Sequence, residues 1–160
     1  MSQADRVRWN DRHRGRSERT GPSPWLRRCM PYFPAGGRVL DLAAGLGEDA
    51  SWLRQEGYDA HALDVSPVAA ARAAERDPGL PFRVADLDDW QPTESWDVIL
   101  TLHFLDRGLW HRIREALSPG GLYVAEVLTE GTPFGRSFQA ARGELLRAFV
   151  DWDVLAWEVA

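Results

Sequence analysis

The sequence holds one cysteine, no lysine and no long hydrophobic run. Cys29, being alone, can close no disulfide within the chain and cannot build a cysteine-based metal site. It reads as a small core residue rather than a nucleophile. No apolar stretch approaches the ~18 residues of a membrane span. Met1 to Thr20 is polar and arginine-rich, unlike a secretory leader, so a reducing cytoplasm is the expected location. Every basic side chain is Arg, a coding-bias signature with no functional weight beyond excluding a Tyr-x-x-x-Lys pair. A net charge of −5 argues against a general nucleic-acid or anionic-membrane binder. A Gly-x-Ser-x-Gly elbow, a Walker loop and His/Asp/Glu at metal-ligand spacing are also missing, so no metal site is predicted.

What is present suits one domain. A chain of 160 residues, 44% hydrophobic, can bury a core of its own. Residues 1–22 carry six Arg against Asp5, Asp11 and Glu18 and form an N-terminal arm. Two readings stand: a solvated charge run, or a lid. Trp9-Asn10 and His13 interrupt the charges, and an aromatic in a polar arm wants something to pack on; Trp9 is the arm residue expected to touch a site. His13 and His111 read as exposed, His61 as part of a strand. Residues 23–160 form the single domain, opened by a short helix at Pro24 with Ser23 as its N-cap.

The stretch Arg38-Val39-Leu40-Asp41-Leu42-Ala43-Ala44-Gly45-Leu46-Gly47-Glu48-Asp49 organises the rest. It predicts a buried strand at 38–43, a glycine loop and a helix at 47–56. Further strands are expected at 58–63, 81–85, 96–102 and 122–128, with helices at 67–76 and 106–117. A helix at 142–150 and a sixth strand at 152–159 end the chain. Ser118-Pro119-Gly120-Gly121 reads as a turn, 129–141 as a loop. Strands alternating with helices of 10–15 residues predict an α/β fold: an open, mostly parallel, doubly wound sheet, apparently ending after strand six.

Parallel strands put their carboxyl ends on one edge, where a ligand crevice forms. Asp41, Asp64 and Asp86 all fall at strand ends. Asp64 follows Gly47 by 17 residues, near the ~20 that set a carboxylate on a ribose diol. Asp86 could accept from an adenine amine, and Leu87 could supply a ring contact and a backbone N–H. Glu48 and Asp49 in the first helical turn would repel a pyrophosphate. They would not repel a ligand with a cationic amino group and a sulfonium, which favours S-adenosylmethionine over a nicotinamide dinucleotide.

Val39 to Gly47 resembles the first motif of class I S-adenosylmethionine-dependent methyltransferases. Leu63-Asp64-Val65-Ser66-Pro67 resembles their second motif and Val84-Ala85-Asp86-Leu87 their third. Trp96 to Ile99 resembles strand four, and Leu117 to Gly121 the turn before strand five. The match covers about residues 37–128 in order and spacing. The short chain and the Trp9-Asn10 arm look most like the small tellurite-resistance-type or thiol-type members. The resemblance implies a Rossmann-like fold and S-adenosylmethionine as cofactor. Backbone at Ala43, Gly45 and Gly47 would hold the methionine part, with Asp41 orienting the loop or meeting the amino group. Asp64 would take the ribose, Val65 and Leu87 the adenine, and Asp86 its amine. His103 and Phe104 would lie beside the methyl group, and Trp9 would cover it.

Ala43 stands where the family has its first glycine, which requires an ordinary φ there. The family's seventh strand is missing, leaving an edge of Trp152, Val154, Leu155 and Trp157 open to pairing; a partner, as in a homodimer through strand six, or a shortened chain accounts for it equally. Methyl transfer from a sulfonium is an in-line displacement that needs mostly proximity and orientation. A base matters only for an acceptor that holds its proton. His103 is the candidate catalytic base, or equally a structural histidine at a strand end. Glu126 and Glu130 face substrate or solvent. Leu102-His103-Phe104-Leu105 replaces the Asn/Asp-Pro-Pro-aromatic tetrapeptide of nucleic-acid amino-methylating enzymes, which favours a small-molecule acceptor. A cofactor-binding partner subunit without catalysis is the alternative; a nicotinamide-dependent reductase is the third reading.

Overall fold

A computed structural model describes residues 3–130 and 139–159 of the chain. The sheet has five parallel strands in the order β3-β2-β1-β4-β5. They are β1 (Arg38–Leu42), β2 (Asp59–Asp64), β3 (Phe82–Val84), β4 (Trp96–Leu102) and β5 (Leu117–Glu126). Register pairs Asp41 with Ala62 on one side and Leu100 on the other, so β1 sits at the centre. The chain order reverses at β1, and that switch point is where an open α/β sheet opens a crevice.

Central strands buried on both faces need apolar residues at successive positions. In β4, Val98, Ile99 and Leu100 are fully buried. Val39, Val98, Leu100 and Val124 point to one face, packed against Leu26 of α2 (Pro24–Cys29) and Leu53 of α3 (Glu48–Gln55). Ala73 of α4 (Pro67–Arg76) joins the same face. Leu40, Leu42, Leu63 and Ile99 point to the other, against Leu109 and Ile113. Ile113 belongs to α5 (Trp110–Ala116), which a 3-10 turn at Arg107–Leu109 precedes. Truncating Leu53 to Ala would cost about 2–5 kcal/mol, as at other well-packed sites.

Local chemistry sets the helix starts. Ser23 Oγ accepts from Leu26 N and Ser66 Oγ from Ala69 N, each followed by Pro at the first helical position. Arg112, buried in α5, donates through Nη1 to the carbonyls of Leu87, Asp88 and Trp90 and so clamps the loop after β3.

Three expectations change. Residues 118–121 are a bulge inside β5: register jumps from Trp96–Leu117 to Val98–Leu122. Gly121 is required there, since a Cβ would stand 2.8 Å from Ser118 O. Second, no strand forms at 152–159; residues 153–159 have no regular structure. Arg114 donates to Ala148 O and pairs with Asp151, its guanidinium stacked on Phe149 and Trp152, so the chain folds back on α6 (Glu144–Ala148). Among the described residues the sheet ends at β5, and residues 153–159, where the edge strand is expected, form none. Two-residue strands β6 (Leu128–Thr129) and β7 (Gln139–Ala140) pair separately, within the segment expected to be a loop; residues 131–138 of that segment lie outside the described residues.

Third, the arm is helical: α1 spans Gln3–Gly15. It lies on α4, where Asn10 Oδ1 accepts from Ser66 Oγ at 2.6 Å and Arg72 donates to the carbonyls of His13 and Arg16. No helix among the described residues is long and apolar enough to cross a membrane.

Candidate functional site

The loop after β1 runs through left-handed backbone at Ala43, Gly45 and Gly47, with φ of 58°, 55° and 67°. The ordinary φ expected at Ala43 is not observed: the alanine carries a conformation worth about 1–2 kcal/mol of strain for an L-residue. The turn places Ala44 N on Leu63 O at 3.0 Å and Gly47 N on Ala44 O at 2.9 Å. Gly45 suits the left-handed φ, and a Cβ there would touch Arg16 and His13 at 3.3–3.4 Å.

Asp64 ties the ends of β1 and β2 together. Its Oδ2 accepts from Gly45 N at 2.8 Å and its Oδ1 from Ser66 N at 2.9 Å. Burial raises its pKa, and the N–H groups of Ser66, Gly45 and Val65 offset part of that rise. Each oxygen keeps a second lone pair, so the carboxylate can still accept from a ligand. Asp41 is buried beneath the loop, and its pKa stands well above the ordinary carboxylate value. Burial is the main cause, followed by the negative neighbours Asp49 and Asp64.

These groups line a cavity of about 310 Å³ at the carboxyl edge of the sheet. Trp9, Asp41, Ala43, Gly45, Asp64, Val65, Leu87, His103 and Phe104 are brought together in it. Two expected residues are elsewhere. Gly47 is the N-cap of α3, packed on Leu80 and Phe82. Asp86 turns its Oδ1 to Asp88 N at 2.9 Å, and Leu87, clamped by Arg112, is the residue that reaches the cavity.

Arm residues that the sequence reading left without a role complete the wall: Arg12, His13, Arg16 and Arg19. His13 is 4% exposed, not solvent-facing as expected. Its ring stacks on Trp9 at 5.8 Å, and Nδ1 is buried without a partner. Its pKa is lowered to about 4, first by burial and then by Arg16, Arg12 and Arg72. Arg16 Nη2 lies 2.8 Å from Glu48 Oε2; Arg19 reaches Glu48 and Asp49, the latter at 2.6 Å. The acidic first turn of α3 is thus neutralised from within, and repulsion of a pyrophosphate no longer decides between cofactors. The balance of six Arg in the arm against Glu48 and Asp49 was the available signal for this pairing.

His103 follows β4 with φ 57°. Its Nε2 lies 3.6 Å from Glu126 Oε2, and Ser23 Oγ donates to that same oxygen at 3.0 Å. Of the other histidines, His61 sits in β2 beside Asp59, and Cys29 is buried with its thiol pKa pushed up to about 11 by burial.

A parallel sheet with its chain reversal at β1, a left-handed loop there and a carboxylate on the next strand define a nucleoside-binding α/β domain of Rossmann-like class. The family model described as a methyltransferase domain matches residues 13–156, and the chain belongs to that family. A trans-aconitate 2-methyltransferase of Acidovorax ebreus is 33% identical over 118 residues, 69% of this chain and 45% of that protein. The chain thus spans less than half the length of that relative. TehB from Haemophilus influenzae superposes with a TM-score of 0.73 at 22% identity, over 83% of this chain and 51% of that one. A TehB-like SAM-dependent methyltransferase from Corynebacterium glutamicum gives 0.66 at 22% identity, over 94% and 83%. These two likenesses establish the fold.

Proposed function

We propose that the chain binds S-adenosylmethionine and transfers its methyl group to a small molecule. The observation that carries this is the charge pattern of one cavity over the left-handed loop. Asp41, Asp49 and Asp64 stand beside Arg12, Arg16 and Arg19, with Val65 and Leu87 as an apolar end. A zwitterionic amino-acid tail, a sulfonium and a ribose diol require both signs together; a dinucleotide requires none of the acids but one.

In this reading Asp64 accepts from the ribose hydroxyls while keeping its bonds to Gly45 and Ser66. Val65 and Leu87 hold the adenine. Asp41 and the loop backbone at Ala43 and Gly45 meet the amino end, and the arm arginines its carboxylate. Trp9 and His13 exclude water. The cofactor, when bound, supplies a methyl group already activated by positive sulfur. The protein then contributes proximity and orientation. A cytoplasmic site of action accords with one buried, unpaired Cys29.

Calorimetry with S-adenosylhomocysteine and with NAD tests the reading. Heat with the first and none with the second is expected; no heat with S-adenosylhomocysteine would sink it. Binding without labelled-methyl transfer to any of a panel of thiols, oxyanions and amines would reduce the chain to a cofactor-binding partner.

A further inference from the structure

The cofactor cavity meets a second, larger one of about 940 Å³ that runs along the outer edge of β5. His103 lines both. The larger groove is walled by aromatic rings, Trp25, Tyr32, Phe149, Trp152 and Trp157 among them. The His103 side chain, shared by the two linings, is 54% exposed. Behind it stands Glu126, whose Oε2 also takes the Ser23 hydroxyl at 3.0 Å. Ser23 is fully buried and is itself fixed by donating from its N–H to Asp49 Oδ1 at 2.6 Å. The carboxylate facing His103 is thus held in place through a buried serine. A left-handed φ at a non-glycine residue persists only where the surroundings over-determine it, and such residues cluster at functional sites.

We propose that His103 is the general base for a phenol-type acceptor lying in the β5 groove, with Glu126 as its positioning residue. The inference rests on the cofactor reading above. Nε2 is the ring nitrogen nearer Glu126, 3.6 Å from Oε2, so Nδ1 takes the proton-accepting role, the Glu126 contact closing to a hydrogen bond when the acceptor is bound. The hydroxyl proton passes to Nδ1, and the oxygen's electron pair forms the bond to the methyl carbon. The methyl–sulfur bond breaks with its pair left on sulfur, which becomes neutral. The imidazolium formed faces the Glu126 carboxylate and then gives its proton to water. The aromatic walls offer an aryl ring stacking and edge contacts. A polycarboxylate would need no base and would meet the Glu126 charge at the nucleophile's end.

Two measurements on the full chain test this. With S-adenosylhomocysteine bound and the pH below the free ligand's ionisation, adding wild-type protein to 4-nitrophenol should increase its phenolate absorbance. His103→Gln should abolish that increase, and Glu126→Gln should reduce it. In labelled-methyl transfer at a pH where 4-nitrophenol is ionised and 4-methylphenol is not, His103→Gln should slow transfer to 4-methylphenol by about 10²–10⁴-fold. Transfer to 4-nitrophenol should fall by under about tenfold, since no base is then needed. Equal slowing of both, no growth of the phenolate band, or transfer to trans-aconitate or an aliphatic amine in place of phenols overturns the proposal. Loss of S-adenosylhomocysteine binding by the wild type is a separate outcome and sinks the cofactor reading instead.

Discussion

Arg19 donates from Nη2 to Asp49 Oδ2 across 2.6 Å, joining the segment between α1 and α2 to the first turn of α3. Its backbone N–H and Nε go to Glu48. Asp49 in turn accepts from Ser23 N, and Ser23 Oγ donates to Glu126, so a line of polar contacts runs from the arm to His103. The acids of the glycine loop's helix therefore have counter-ions brought by the chain's own N-terminus.

Replacing Arg19 with Met should leave buried Asp49 without its guanidinium and Glu48 with Arg16 alone. Breaking a fully buried pair costs about 3–5 kcal/mol. Arg19 is about one-third exposed, so solvent screening lowers the expected loss to about 2 kcal/mol. Urea denaturation measures it; a change under about 0.5 kcal/mol would mean the pair is solvated in solution.

Asp64→Ala removes two backbone partners and the acceptor assigned to the ribose. S-adenosylhomocysteine affinity should fall by about 10–100-fold, the range of one lost buried acceptor at 1–3 kcal/mol. Calorimetry on variant protein with native-like circular dichroism checks it, and an unchanged affinity would mean that Asp64 holds only the loop.

Ala43→Gly should stabilise the protein. The left-handed φ of 58° costs Ala about 1–2 kcal/mol, while Gly adds about 0.4–1 kcal/mol of unfolded-state entropy. The net gain lies between about 0 and 1.6 kcal/mol, and each kcal/mol corresponds to roughly 2–4 °C in Tm for a chain of this size. A lowered Tm would show that the alanine methyl packs better than the backbone is strained.

His13 makes stability depend on pH. Its pKa falls from 6.5 to about 4 on folding, so the unfolded chain binds the extra proton. Stability contributed by the neutral ring is complete above pH 6.5 and is lost as pH drops toward 4. Relative to His13→Phe, the wild type should lose about 3 kcal/mol across that window. Asp41 and Asp64, whose raised pKa values act in the opposite direction, are common to both proteins and cancel in the difference. A constant gap between the two Tm curves would show His13 to be solvated.

The parallel sheet and its crevice were legible in the sequence because they follow from local patterns. Val98 to Leu100 reads as a doubly buried strand from its own composition, and Ser66-Pro67 announces α4 through a cap within three residues. Asp64, at the end of a strand beside the glycine loop, is placed by the alternation of elements alone. Asp86 shows the limit of that reasoning. An Asx turn two residues long engages its Oδ1 with Asp88 N, and a clamp from Arg112, 26 positions on, fixes Leu87, which lines the cavity.

What the sequence by itself determined is what short-range chemistry controls: strand and helix order, the glycine loop, the carboxylates at strand ends, and through them the family. What only the tertiary structure decided is how distant charges and chain segments meet. Arg16 and Arg19 neutralise Glu48 and Asp49 across some 30 residues of chain, burying His13 in the cavity wall. Arg114 holds Phe149, Asp151 and Trp152 beside the end of α6, and residues 153–159 form no strand. Such pairings depend on packing geometry that no local spacing encodes, because the sheet sets the distances between helices across which these ion pairs and ring stacks are made.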